Sequence, residues 1–127
     1  MLVLIFSGLT LHAHHSISGT YATSKVVAVE GLIREFHFVN PHPFLIVEVL
    51  NENGTTEMWR LEMDRMVDLS EAGLKKTTFK PGDRIVASGN PAIAEKQSLF
   101  IRRLERPSDG LRFEQLGANP RIILKPN

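Results

Sequence analysis

A short apolar run between two chain reversals limits the possible folds of this sequence more than any other feature. Phe44–Leu50 reads FLIVEVL, and such a run of branched and aromatic residues is typical of a buried strand. Asn40-Pro41-His42-Pro43 precedes it, and the two prolines prevent a continuous strand. Asn51-Glu52-Asn53-Gly54 follows it and ends in Asn-Gly, a strong hairpin signal. The chain therefore reverses on both sides of this run, which favours an antiparallel sheet.

The segments outside these turns extend the pattern to five strands and one helix. Interrupted alternation predicts a first strand over residues 25–39, where Gly31 allows a bulge or bend. Helical spacing predicts a short helix over residues 64–74, with Asp64 as its N-cap and Gly73 as its terminator. The other predicted strands are residues 55–63, 84–89 and 98–106, and the tail 121–127 can add a short edge strand.

Three strands, one helix and two strands follow each other in the order of the OB-fold. We therefore predict a mainly β fold, a small five-stranded OB-like antiparallel barrel with one short helix between strands 3 and 4. A long first strand with an internal glycine suits this fold, because that strand must bend to serve both sides of the barrel. A different small antiparallel barrel or a sandwich is the alternative. The 127 residues suffice for one domain, which we assign to residues 14–127.

The first 13 residues are predicted to be a signal peptide. They read MLVLIFSGLTLHA and contain no charged side chain. This run is shorter than the about 20 apolar residues that cross a bilayer, and the small Ala13 suits a cleavage site. The charged start of a signal is missing, so either Met1 lies downstream of the true start or the signal is weak. We expect a periplasmic or secreted protein with no transmembrane span; a buried first strand or helix is the alternative.

Composition excludes several classes of function. The chain has no Cys, which rules out disulfides, thiolate chemistry and Cys-based zinc sites. Its 15 Lys and Arg nearly balance 14 Asp and Glu, so we expect no nucleic-acid partner. The sequence also has no nucleophile elbow and no Gly-rich phosphate loop. OB-like folds mostly bind rather than catalyse, so by analogy of fold we favour a binding domain over an enzyme.

The histidines are the most specific group of candidate metal ligands in the sequence. Cleavage after Ala13 would make His14 the N-terminus, where its amine and imidazole could chelate one metal ion. His15, or His42 from the Asn-Pro-His turn, could supply another nitrogen, and neutral nitrogen ligands suit Cu(II) best, ahead of Ni(II) or Zn(II). We therefore predict His14, His15 and His42 as metal ligands, with copper the favoured ion. The alternative is that the terminal histidines are merely tolerated and that His42 hydrogen-bonds a carbonyl.

Other residues near this turn are predicted to be structural or to line a groove. They are Asn40, Trp59 and Glu62. We expect Trp59 to pack in the core, and the carboxylates at the end of the third strand to cap the helix rather than catalyse. His37 stands between two Phe residues in the first strand and is expected to point away from them, toward solvent or a groove.

The motifs, taken in order, resemble those of a known family. They are Ala13-His14-His15-Ser16, Asn40-Pro41-His42, Trp59 with Glu62, and Lys80-Pro81-Gly82-Asp83 closing on Gly89. From Ala13 to about Leu104 the chain resembles a family of exported bacterial domains of unknown function. The resemblance implies a periplasmic OB-like β-barrel and no established activity.

We therefore interpret the chain as an uncharacterised exported binding domain for a small ligand or a divalent metal ion such as copper. Two alternatives come from other classes of protein. One is an interaction or structural protein that holds no metal and docks a protein partner through a strand edge. The other is a copper-dependent enzyme centred on His14.

Overall fold

The computed structural model describes residues 16–117 and 119–124, and these residues form a mainly β structure. The predicted signal peptide, His14 and His15 lie outside the described residues. Two short helices occur within them, α1 (Ile17–Thr20) and α2 (Met66–Glu71). The strands are β1 (Val27–His37), β2 (Phe44–Leu50), β3 (Thr56–Glu62), β4 (Arg84–Pro91), β5 (Ser98–Arg106), β6 (Leu111–Glu114) and β7 (Arg121–Ile123).

Strands β1 to β5 close into a barrel. β1 pairs antiparallel with both β2 and β4, β2 pairs with β3, and β4 pairs with β5. Residues 60–62 of β3 then pair in parallel with residues 98–100 of β5 and complete the ring. This ring, with α2 between β3 and β4, confirms the predicted five-stranded OB-like barrel.

β1 serves both sides of the barrel, as its length predicts. Val27 to Leu32 pair with β4, whereas the residues from Leu32 onward pair with β2. The irregularity in the ladder lies between Ile33 and Glu35 rather than at Gly31. Gly31 is required for a different reason: a Cβ there would stand 2.1 Å from the Glu48 carbonyl oxygen. The glycine therefore permits the close approach of two strands, and the bulge follows two residues later.

The tail adds more to the sheet than the sequence predicts. β7 confirms the expected edge strand, and β6, which was not predicted, joins it to β5. Leu111 and Phe113 of β6 are buried in the main core. The hairpin therefore completes the core instead of lying on its surface.

The ends of α2 agree in part with the sequence-based expectation. Gly73 has a φ of +97° and ends the helix, as predicted. The N–H of Leu74 reaches back to the Leu69 carbonyl, which is the pattern of a Schellman cap. The prediction of Asp64 as N-cap is wrong, because that position falls on Arg65. Asp64 instead accepts the backbone N–H of Arg65 through its carboxylate.

The core fills the barrel with aliphatic and aromatic side chains from all five strands and from α2. Leu69 fixes α2 over one end of it, and Phe79 from the loop before β4 closes the same cluster. Among the described residues, no helix has the length and apolarity needed to cross a membrane.

Candidate functional site

The Asn-Pro-His turn is fastened to the connection between β3 and α2. The N–H groups of Met63 and Met66 donate to the carbonyls of Pro43 and Pro41, each at 2.9 Å. His42 Nδ1 lies 2.9 Å from the Met63 carbonyl oxygen. A carbonyl only accepts, so Nδ1 carries the hydrogen, and in the neutral ring Nε2 carries the lone pair. The turn, whose Asn40–Pro41 peptide bond is cis, thus fixes both the position and the tautomer of His42.

Glu62, at the end of β3, connects this turn to the start of the described chain. Its Oε1 lies 3.9 Å from His42 Nδ1, and its Oε2 accepts a 2.6 Å hydrogen bond from the Tyr21 hydroxyl. The side chains of His42 and Glu62 are 28% and 23% exposed, so a ligand can reach both. We call Tyr21, His42 and Glu62 the His42 corner.

Tyr21 is buried where it meets the barrel. Its ring packs against Phe100, with centroids 5.6 Å apart, and only 4% of the residue is exposed. Burial raises the pKa of the Tyr21 hydroxyl, and the hydrogen bond to Glu62 raises it further. Ser98 and the positive charge of Arg60 offset part of this effect. The hydroxyl therefore stays protonated and acts as a donor.

A stack of three side chains lies beside the His42 corner on the outer face of the sheet. The rings of His37 and Phe44 are nearly parallel, with centroids 4.3 Å apart. The Arg60 guanidinium carbon lies 3.5 Å from the centroid of the Phe44 ring. Since β1 and β3 flank β2 on opposite sides, His37 and Arg60 cover the two faces of Phe44. His37 Nε2 is hydrogen-bonded to Glu35.

Three other residues singled out in the sequence lie outside the His42 corner. Trp59 packs against the core as expected, and its indole N–H is buried without a hydrogen-bond partner among the described residues. Asn40 is exposed in the turn. His37 points away from Phe36 and Phe38, which pack on the core, and this confirms the prediction for that histidine.

The structure describes only one of the three predicted metal ligands. His42 lies close to Glu62, which was predicted to be structural or to line a groove, whereas His14 and His15 lie outside the described residues. Within the described ranges, no group of three or more His, Asp or Glu side chains could hold a metal ion. The predicted metal centre therefore remains a prediction.

Sequence analysis did not identify two residues of this region, Arg60 and Tyr21. A sequence signal existed for Arg60 but not for Tyr21. Arg60 lies on the same strand face as Glu62, so alternation alone could have marked it. Tyr21 carries no such signal, because its contact with Glu62 spans 41 residues of sequence. Only the path of the chain over the outside of β5 brings the two together.

The fold and the His42 corner define a small OB-like β-barrel domain with an accessible His–Glu pair on its surface. The model of DUF6152, a family of unknown function, matches residues 3–99. The chain belongs to this family, which confirms the predicted membership in a family of unknown function.

Similarity to other known proteins is low. No curated protein matches the chain. Among solved structures, the N-terminal domain of the PriB protein from Thermoanaerobacter tencongensis is similar, with 18% identity and a TM-score of 0.41. The alignment covers 82% of this chain and 99% of that one.

Proposed function

We propose that this protein is an exported binding domain that holds a divalent metal ion, with copper favoured, at the His42 corner. In this proposal His42 supplies one imidazole nitrogen, and the N-terminal residues His14 and His15 supply the other nitrogens. Glu62 lies on the Nδ1 side of the His42 ring, 3.9 Å from that nitrogen, where its negative charge can balance the charge of an ion bound at Nε2.

The observation that carries the proposal is the hydrogen bond from His42 Nδ1 to the Met63 carbonyl. Histidines that ligate metals almost always donate their second ring nitrogen to a carbonyl or carboxylate, which fixes the ring and the tautomer. His42 has this arrangement while its side chain remains partly exposed. Its Nε2 is therefore suited to bind an ion without any change in the turn.

The position of the N-terminal segment supports the same assignment. Tyr21 is hydrogen-bonded to Glu62 of the corner, and only five residues lie between His15 and Tyr21. Four of the intervening residues form α1, which extends the chain by only about 1.5 Å per residue. A short connection therefore links the predicted histidine ligands to the corner that needs them.

A copper titration of the processed, metal-free protein tests the proposal. The protein is expressed with its leader, its N-terminus is sequenced, and Cu(II) is added while the d–d absorption and the EPR spectrum are recorded. We expect one ion per chain, a dissociation constant of about 1 μM or tighter, and nitrogen hyperfine structure. The His42→Ala variant should bind at least about tenfold more weakly.

His37→Ala is the matched control, because it removes an imidazole of the same outer surface that is already bonded to Glu35. It should leave copper affinity unchanged. Equal affinity in the wild-type protein and in His42→Ala would overturn the role of the corner. Loss of binding when one alanine is added ahead of His14 would support the amine-plus-imidazole chelate, and unchanged binding would exclude it.

A further inference from the structure

We propose that Arg60 binds the carboxylate group of a small-molecule ligand on the outer face of β2 and β3, next to the His42 corner. This site goes beyond the proposed metal site and does not need it. Arg60 lies two residues before Glu62 on the same face of β3. A ligand held by Arg60 would therefore lie close to His42 and Glu62.

The guanidinium of Arg60 is packed against an aromatic ring. Its carbon lies over Phe44, 3.5 Å from the ring centroid, and His37 stacks on the opposite face of that ring. A guanidinium packed in this way loses little side-chain entropy when it binds a ligand. The planar edge of the Arg60 guanidinium is thus positioned to donate two hydrogen bonds to one ligand group.

The hydrogen-bonding groups of Arg60 are also unused within the part of the chain that the structure describes. Its guanidinium makes neither a side-chain hydrogen bond nor an ion pair there, whereas every other arginine in these ranges makes at least one. In these ranges no Arg60 nitrogen is among the buried polar atoms that lack a partner, so these nitrogens reach solvent. An external acceptor can therefore bind them directly.

The charge around Arg60 selects the class of acceptor. A carboxylate matches the guanidinium fork with two parallel hydrogen bonds and a single negative charge. Phosphate matches the fork equally well but carries more negative charge, and Glu62 on the same face repels it. A monoanionic carboxylate is therefore favoured over a phosphate.

Acetate titration of metal-free, ¹⁵N-labelled protein tests the site. The Nε–Hε signals of the arginines are followed by NMR at constant ionic strength, with chloride as the balancing anion, and the Arg60 signal is assigned from Arg60→Lys. We expect the Arg60 signal to shift saturably, with a dissociation constant on the order of 1 mM. Arg60→Lys keeps the charge but loses the fork, so acetate shifts of neighbouring amides should need about tenfold more acetate.

Two further variants separate a built site from simple charge attraction. Phe44→Leu removes the platform under the guanidinium and should weaken acetate binding several-fold. Arg84→Gln removes a guanidinium that is paired with Glu30, and it should leave acetate binding unchanged.

Three results would overturn the inference. They are an Arg60 signal that acetate does not move, an equal loss of binding in Arg84→Gln, and saturation by inorganic phosphate at lower concentration than by acetate. The experiment is done without metal, so its failure leaves the copper proposal intact, and failure of the copper titration leaves this site intact.

Discussion

Tyr21 joins the start of the described chain to the far end of β3 through one hydroxyl group. Its ring covers Phe100 on the outside of the barrel, and its hydroxyl donates to Glu62. A hydrogen bond to a charged acceptor contributes more than a neutral one, and it is lost if the donor ionises, because a tyrosinate has no proton to donate. Tyr21 therefore couples the N-terminal segment, the His42 corner and the stability of the fold.

Replacement of Tyr21 by Phe should lower the free energy of unfolding by about 1–2 kcal/mol at neutral pH. The raised pKa of Tyr21 also predicts the direction in which stability changes at alkaline pH. Above pH about 10 the unfolded chain loses the tyrosine proton while the folded chain keeps it, so wild-type stability falls as pH rises. Urea unfolding from pH 7 to pH 11 measures both effects.

Two comparisons make this test specific. In Tyr21→Phe the free energy of unfolding should fall less steeply at alkaline pH, because ionisation of Tyr21 no longer contributes to the slope. Ser18→Ala, at an exposed position, should behave as the wild type. Identical slopes for wild type and Tyr21→Phe would contradict the role assigned to the hydroxyl.

At the scale of elements, the barrel depends on where β1 passes from one neighbour to the other. Gly31 lies at this crossing, and the Glu48 carbonyl occupies the space that a side chain would need. The neighbouring atom is backbone in a paired strand, so it cannot turn aside as a flexible side chain would. The crossing therefore tolerates only glycine.

Replacement of Gly31 by Ala should destabilise the protein by at least about 3 kcal/mol, because both strands must move apart to admit the methyl group. Thermal unfolding followed by circular dichroism measures the loss. Gly117→Ala is the control, since no atom of the described residues, apart from its chain neighbours, lies within 4 Å of the Cβ position there. A Gly31→Ala protein as stable as Gly117→Ala would show that the two strands do not approach as described.

The β5–β6 turn shows how an element outside the ring becomes part of the fold. Arg106, at the end of β5, donates to the Thr78 carbonyl at 2.6 Å and pairs with both Asp83 and Asp109. These contacts tie the turn to the loop between α2 and β4. The β6–β7 hairpin is therefore anchored at its base as well as by its buried Leu111 and Phe113.

For the whole molecule, charge balance is the property that most limits its partners. Acidic and basic side chains are nearly equal in number, and many of them form surface pairs such as Arg34–Glu48 and Arg84–Glu30. Binding to nucleic acid draws most of its free energy from uncompensated positive charge. A barrel with this charge distribution offers little of it.

We therefore expect no saturable binding of single-stranded DNA below about 100 μM protein at 50 mM salt. Fluorescence anisotropy of a labelled oligonucleotide measures this directly. A variant with Glu52→Lys, Glu71→Lys and Glu95→Lys, all at exposed positions, serves as a positive control and should bind in a salt-dependent manner. Micromolar binding by the wild type would contradict the argument from charge.

Short-range sequence patterns were enough to predict the local features of this fold. Phe44–Leu50 is a strand with the predicted bounds, and Gly73 ends the helix, because alternation and glycine geometry act over a few residues. The order of strands and helix then predicted the barrel, since few compact arrangements accept that order. The Asn-Pro-His turn was likewise marked as the centre of a candidate site.

Tertiary structure alone decided which side chains meet at that site. Tyr21 reaches Glu62 across 41 residues, and His37, Phe44 and Arg60 stack only because β1, β2 and β3 lie side by side in one register. The role of β6 was decided in the same way, since its four residues gain a strand's stability only from pairing with β5 and β7. Such contacts depend on the positions of distant segments in space, and local sequence patterns do not contain that information.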